Sequence, residues 1–595
     1  MGAVTLDLKA LLELRTAAPA DIDDDTLLLR CDIPGTMQLF RVPLGGGELE
    51  QLTDYPDPVD GHLVPGTRAV LVEHDDAGNE LTQLSLLGDG VIRPLVSDLE
   101  YAHREPMFTL DGSKLAYMTN RENGVDWAIY LRDLATGTER RVFGQGGGCS
   151  VAGFSPSGRF LVVQDDTGRS GDNDLYLIDV DAGNARHLTP HDDEAWFDPP
   201  VWRPDDTAFY VASNVDRDKK AIHRYDLDGD RWTVVAESDW DLECYGDPSG
   251  RWLLLDVNED GYTRYELRDA ATLDVVGDLP LPGRGVAEEP VFDKAGTMLA
   301  FRFASSVDPG DVWTVELDSR ELRNVTELPR AAPLDALREP ELHRYTSFDG
   351  LSVPVFLWEP EGEGPFPVVV MVHGGPESQL RPSFMPSYTP FAQYLLSRGY
   401  AVAAPNVRGS TGYGKRYEHL DDIRLRLDSV RDLASLHDWL ATRPRIDASR
   451  AVLYGRSYGG YMVLAGLTFQ PDRWAAGVEC VGISNFVTFL ENTAPWRRLL
   501  REPEYGSLEN DRDFLVEASP ITHVDQIRVP LFIQHGANDP RVPLEETEQI
   551  HAVLTEKGIR CDLLVHEDEG HAISKLENRI ETFERAVAFL DEVLG

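Results

Sequence analysis

From about residue 24 to residue 325 the chain is a succession of short apolar runs separated by clusters of Asp, Gly, Pro and Asn, the pattern of β-strands joined by turns. One unit recurs. Leu63-Val64-Pro65-Gly66-Thr67, Phe108-Thr109-Leu110-Asp111-Gly112, Phe154-Ser155-Pro156-Ser157-Gly158, Trp202-Arg203-Pro204-Asp205-Asp206, Asp247-Pro248-Ser249-Gly250 and Phe292-Asp293-Lys294-Ala295-Gly296 align, and an apolar strand follows each. Their spacing of 44 to 48 residues is the period of four-stranded propeller blades. An earlier copy around residues 25–29 brings the expected count to seven.

Beyond a Pro- and Ala-containing stretch at 330–340 the pattern changes to buried strands alternating with amphipathic helices, which predicts a mostly parallel sheet. Strands are expected at 368–372, 401–404, 451–454, 476–480, 530–534 and 562–565. Helices are expected at 428–441, 459–468, 545–556 and 578–594. Near the start, Leu6, Leu8, Leu11 and Leu12 interleave with Asp7, Lys9 and Glu13 as a short amphipathic helix. The expected organisation is therefore a helical segment at 1–20 packing on the catalytic half, an all-β propeller at 21–330, and an α/β-hydrolase domain with a doubly wound sheet at 331–595.

Composition narrows the function. A chain of 595 residues exceeds a single core, and 42% apolar residues supply more than one. No apolar run approaches the ~20 residues that cross a bilayer, and no basic start leads into an apolar block, so neither a membrane span nor a cleaved leader is expected. The net charge of -46 repels phosphate backbones, which argues against a nucleic-acid partner. Cys31, Cys149, Cys244, Cys480 and Cys561 are scattered, as free thiols of a cytoplasmic protein would be. No His/Cys/Asp cluster has metal spacing, so no metal or cofactor is expected.

The candidate chemistry lies in the second half. The predicted strand 451–454 runs into Gly455-Arg456-Ser457-Tyr458-Gly459-Gly460 and then a helix, the strand-turn-helix context of a G-x-S-x-G nucleophile elbow. A serine hydroxyl needs a base, and the base needs an orienting carboxylate. His535-Gly536-Ala537-Asn538-Asp539-Pro540 follows one later strand, and Glu567-Asp568-Glu569-Gly570-His571 follows the last. Ser457, Asp539 and His571 stand in the order this fold requires, with His535, His566 and Asp568 as rivals. The strand ending in Val372-His373-Gly374-Gly375-Pro376 offers backbone donors for an oxyanion, and Gly375 N–H with Tyr458 N–H are the chosen pair.

His373 to Pro376, Asn406-Val407-Arg408-Gly409-Ser410-Thr411-Gly412-Tyr413-Gly414, Gly455 to Gly460, His535 to Pro543 and Asp568 to His571 together resemble the prolyl oligopeptidase family of serine peptidases, in its acylaminoacyl peptidase branch. The resemblance covers essentially the whole chain. It implies cleavage of short peptides through an acyl-enzyme, with the propeller and a homo-oligomeric assembly restricting access. Arg456 departs from the neutral residue expected beside the serine.

Which peptide end is read stays open. Glu288-Glu289 is the pair to test for holding a free amino terminus, yet Glu289-Pro290 repeats the position of Glu105-Pro106, which favours a structural role. In Trp496-Arg497-Arg498-Leu499-Leu500-Arg501 the three arginines Arg497, Arg498 and Arg501 cluster on a predicted helix. They are candidates for binding a peptide carboxylate, or form a solvated face paired with Glu502 and Glu504. Phe486, Phe489 and Trp496 either line a pocket or belong to the core. The Gly-rich loop after Arg408 lacks the ending of a phosphate-binding loop. The alternatives are a carboxypeptidase or an esterase of the same fold, and then a propeller interaction protein with an inert hydrolase domain.

Overall fold

The computed structural model describes residues 6–23 and 25–594. Seven four-stranded antiparallel sheets follow one another along the chain, opening at Ala17, Val59, His103, Cys149, Val201, Leu242 and Val286. They are the blades of a seven-bladed propeller. Each aligned repeat falls in the turn between the first and second strands of its blade. In the first blade Ala17–Ile22 pairs with Thr26–Cys31, so the copy expected near residue 25 belongs there. That strand begins inside the segment expected to be helical, because Ala17 and Ala18 find partners in Cys31 and Arg30.

Among the described residues every blade is built from contiguous chain, and no strand is exchanged between the first and the last. Side-chain packing closes the ring: Ala17, Leu27, Leu29 and Phe40 share one buried cluster with Ala300, Val312 and Val325. Burial of apolar area at about 25 cal/mol per Å² is what holds this joint.

The second half is an eight-stranded sheet: β1 (Glu341–Thr346), β2 (Ser352–Trp358), β3 (Phe366–Val372), β4 (Ala401–Pro405), β5 (Ile446–Arg456), β6 (Ala476–Cys480), β7 (Leu531–Gly536) and β8 (Cys561–His566). The order is β1-β2-β4-β3-β5-β6-β7-β8, antiparallel at β1 and β2 and parallel from β4 onward. β1 and β2 were not among the expected strands. One apolar cluster fills each face, around Val370, Leu453 and Ile533 on one side and Val369, Val452 and Phe532 on the other. Strands buried on both faces give the continuous apolar runs seen in the sequence.

Seven helices matter below: α1 (Leu8–Leu12), α2 (Thr389–Ser397), α3 (Arg426–Ala441), α4 (Tyr458–Phe469), α5 (Pro495–Tyr505), α6 (Leu544–Glu556) and α7 (Leu576–Leu594). Leu8 and Leu12 of α1 pack with α2 and α7, while Leu6, Leu11 and Leu14 meet Ala304 of the last blade and Ala332 and Leu337 of the crossing between the two halves. Asp7 caps α1, its Oδ1 accepting from Lys9 N at 2.9 Å. Among the described residues no helix is long and apolar enough to cross a membrane. All five cysteines are free thiols, and burial pushes Cys31, Cys480 and Cys561 up to about 12.

Candidate active site

β5 delivers Ser457 directly to the start of α4. Its backbone sits at φ 58 and ψ -122, a left-handed conformation that side-chain-bearing residues avoid unless the surroundings hold them. The hold is visible: Ser457 N–H donates to the Cys480 carbonyl at 2.9 Å, and the Ser457 carbonyl accepts from Tyr461 N at 3.0 Å. A Cβ at Gly459 would overlap the Val372 carbonyl oxygen, so the elbow can press against β3 only with glycine there. The positive end of the α4 dipole lies beside the serine.

His571 Nδ1 and Asp539 Oδ2 are 2.7 Å apart. Asp539 Oδ1 accepts from the backbone N–H groups of Arg541 at 2.8 Å and Val542 at 3.1 Å. Burial pushes the Asp539 carboxyl up, but the charge and hydrogen bond of His571, helped by His535 and Val542 N–H, outweigh it and hold the group below its ordinary value. The rivals are committed elsewhere. His535 contacts Thr547 Oγ1 at 2.7 Å and the Val542 carbonyl at 2.9 Å, His566 contacts Thr582 Oγ1 at 2.9 Å, and Asp568 pairs with Lys575 at 2.9 Å.

Two contacts secure the loop that carries His571. Glu569 accepts from Ser574 N at 3.0 Å and Lys575 N at 2.9 Å. Arg456, the unexpected residue before the nucleophile, donates from Nη2 to the His571 carbonyl at 2.9 Å. Ser457, His571, Gly374, Gly375 and Arg456 line a single cavity of about 490 Å³.

The chosen oxyanion donors stand on braced elements. Gly375 lies at φ 128, and its carbonyl accepts from Arg501 Nη1 at 3.4 Å and Tyr505 Oη at 3.3 Å. A Cβ on Gly374 would come within 3.2 Å of Ser457 Cβ, which shows how closely this loop lies against the candidate nucleophile. The Tyr458 side chain is buried. Its hydroxyl donates to Asp421 Oδ2 at 3.0 Å and meets Ser429 Oγ at 2.7 Å. Arg426 sits between Asp421 and Glu504, bonded to both, with its guanidinium 5.1 Å from the Tyr458 ring and 4.8 Å from the Tyr505 ring. Sequence reading passed over Asp421, Arg426 and Tyr505 and placed Glu504 on a solvated face, because these segments are remote along the chain and carry no shared spacing.

The three arginines of α5 do not converge. Arg498 pairs with Glu502 at 2.8 Å on the half-exposed side, as the solvated-face reading expected, whereas Glu504 is bound to Arg426 instead. Arg501 pairs with Glu377 at 3.2 Å and reaches Gly375. Arg497 faces the propeller, where burial and the neighbouring Arg541 lower it to about 10. Phe486 and Phe489 belong to the hydrolase core, and Trp496 packs on a propeller cluster.

Glu288 pairs with Arg302 at 2.6 Å, and Glu289 with Arg30. Glu105 and Glu289 share the left-handed backbone their matching repeat positions imply, at φ 50 and φ 55. A second cavity, about 550 Å³, opens between the halves and is lined by Asp241, Asp256, Lys220, Glu377, Glu418 and Arg501 among others.

Comparisons with known proteins agree with this architecture. The description "Prolyl oligopeptidase family" matches residues 386–595, and "Prolyl oligopeptidase, N-terminal beta-propeller domain" matches 148–327. A dipeptidyl aminopeptidase BIII of Pseudoxanthomonas mexicana is 34% identical over 291 residues, covering 48% of this chain and 38% of the relative. An acylamino-acid-releasing enzyme of Sus scrofa is 27% identical over 268 residues, covering 44% of this chain and 36% of the relative. The matches thus span little more than a third of these relatives' own length. A puromycin-hydrolyzing peptidase of Mycobacterium tuberculosis superposes with a TM-score of 0.86 at 22% identity, covering 100% of this chain and 96% of that one, which shows the shared fold. With the propeller and the sheet domain both matched by descriptions of one family, this chain belongs to the prolyl oligopeptidase family.

Proposed function

We propose that the chain is a serine peptidase that hydrolyses short peptides through an acyl-enzyme, most like an acylaminoacyl peptidase or oligopeptidase. In this reading Ser457 Oγ attacks the peptide carbonyl while His571 Nε2 takes its proton, and Asp539 holds Nδ1–H of the imidazole. Gly375 N–H and Tyr458 N–H receive the oxyanion of the tetrahedral intermediate. His571 then passes the proton to the departing amine, and water repeats the sequence on the acyl-enzyme.

The observation that carries the reading is the 2.7 Å contact between His571 Nδ1 and Asp539 Oδ2, on loops that bring His571 into the same cavity as an elbow-held Ser457. That cavity, about 490 Å³, is of a size suited to a small ligand, which favours short substrates. The domain limits, with the propeller opening at Ala17, a homo-oligomeric assembly and a cytoplasmic location belong to the same proposal. Light scattering of the purified chain tests the assembly.

The test of function is hydrolysis of one short peptide in free, N-acetylated and C-amidated forms, by wild type and by Ser457→Ala. The variant is expected to lose roughly 10⁴-fold or more in kcat. Preference for the acetylated form supports the acylaminoacyl assignment. Retained activity in Ser457→Ala overturns the whole reading.

A further inference from the structure

Arg456 is a buried cation on which charged neighbours, Asp539 among them, act only from a distance. Its residue is 9% exposed, its Nη2 is used on the His571 carbonyl, and its Nη1 is buried with no hydrogen-bond partner. It enters no ion pair among the described residues. Burying a guanidinium in that state is costly, and the cost falls when an anion completes the arrangement. Arg579, 6% exposed, lines the same cavity, with Nε and Nη2 lacking hydrogen-bond partners. Its nearest carboxylate oxygen, Asp32 Oδ2, lies 3.7 Å from Nη2, beyond hydrogen-bonding distance, and Asp32 Oδ1 already accepts from Thr16 N at 2.8 Å. A third arginine of the lining, Arg541, is bound to Glu80 of the propeller. The cavity that holds the candidate nucleophile is therefore lined by two buried arginines that keep donors without a hydrogen-bond partner.

The position of these donors relates them to one part of a substrate. His571 and the three residues after it, Ala572, Ile573 and Ser574, line the same cavity, and Arg456 Nη2 donates to the His571 carbonyl. In serine-triad chemistry the histidine must reach the departing amine to protonate it, so the wall beside His571 faces the leaving group. None of the α5 arginines lines this cavity, and Arg501 lines the other one.

We propose that Arg456 and Arg579 form a carboxylate-binding subsite for the leaving-group residue of the substrate. The proposal rests on the serine peptidase reading and adds a substrate class, peptides with a carboxylate on the residue that follows the cleaved bond. Guanidinium donors suit that group because its two oxygens can accept charge-assisted bonds at once. The carboxylate is either the chain's α-carboxylate, in which case one residue is released from the C-terminus, or the side chain of an acidic residue.

The test measures kcat/KM for a set of N-acetylated peptides that differ only in the residue after the cleaved bond: alanine as free acid, alanine amide, glutamate amide and glutamine amide. Expected in wild type is a preference on the order of 10- to 100-fold for one carboxylate-bearing member over its neutral counterpart, the loss that follows when a charged hydrogen bond is left unmade. Alanine acid over alanine amide identifies the α-carboxylate, and glutamate amide over glutamine amide identifies the side chain. Arg579→Gln and Arg456→Lys are expected to reduce that ratio severalfold or more. The wild-type comparison requires no variant to fold.

Equal rates for all four peptides, or a preference that survives both substitutions, overturn the subsite. Labelling of Ser457 by a fluorophosphonate separates the two readings. Labelling without carboxylate discrimination sinks the subsite alone, whereas absence of labelling and of hydrolysis sinks the peptidase assignment beneath it.

Discussion

Arg426→Met removes the cation from a buried cluster in which the carboxylate oxygens of Asp421, Asp422 and Glu504 lie within 4.8 Å of one another. Asp422 has its own partner in His419 at 2.8 Å, but Asp421 and Glu504 depend on Arg426 for their charge balance. Methionine fills much of the same length, so the change is electrostatic more than volumetric. Breaking a buried pair on one side costs about 3–5 kcal/mol, and at about 2 °C per kcal/mol for a domain of this size Tm should fall by about 6–10 °C. Burial pushes the Asp421 carboxyl well above its ordinary value, and Arg426 is the largest opposing influence. Without the arginine the carboxyl is favoured in its protonated form in the folded state, so the deficit should widen as pH rises from 6 to 9.

The catalytic consequence follows from Tyr458, whose hydroxyl rests on Asp421 and whose N–H is the proposed oxyanion donor. A shift of about 1 Å there lowers kcat by up to about 100-fold. Differential scanning calorimetry across that pH range, with steady-state rates beside it, measures both effects. The triple variant Arg426→Met, Asp421→Asn, Glu504→Gln should regain more than half of the lost Tm, since neither carboxylate that depended on Arg426 is left charged and buried. A single variant within 2 °C of wild type, or a triple variant less stable than the single, refutes the reasoning.

Three further outcomes are expected. Ser457→Ala should abolish fluorophosphonate labelling and cut kcat by roughly 10⁴-fold or more, measured on the N-acetylated peptide. Asp539→Asn should lower kcat by about 10⁴ by leaving the imidazole in the wrong tautomer. It should also change the acid limb of stability: Asp539 is held below its ordinary value, so its contribution is present above about pH 4 and lost as pH falls through the lower folded value. Thermal unfolding between pH 5 and 2 should be less pH-sensitive in the variant than in wild type. Gly459→Ala places a methyl group against the Val372 carbonyl, and it should reduce the yield of folded protein and lower Tm by several degrees in calorimetry.

What could be read in advance was local. The turn repeats, the strand-to-helix elbow at Ser457 and the order Ser457, Asp539, His571 are patterns within a few residues or a fixed period, and chain stereochemistry translates them without knowledge of the rest. The antiparallel strands β1 and β2 escaped notice because the reading followed strands that alternate with helices, whereas these two pair as neighbours at one edge of the sheet. The α5 arginines were read as one group because helical spacing puts them near one another. Their surroundings, Glu377 on the loop after β3 for Arg501, Glu502 within the helix for Arg498, and Arg541 with Glu80 at the propeller for Arg497, separate them.

Residue order alone determined a seven-bladed propeller followed by an α/β-hydrolase sheet, and named a candidate nucleophile with its chosen partners. Tertiary structure alone decided which charges are matched. Arg426 found Asp421 and Glu504, while Arg456 and Arg579 were left with unused donors beside Ser457. The reason is physical. Hydrophobic periodicity is a property of neighbours along the chain, but the energy of a buried charge depends on which groups folding brings within about 4 Å of it, from anywhere in the sequence.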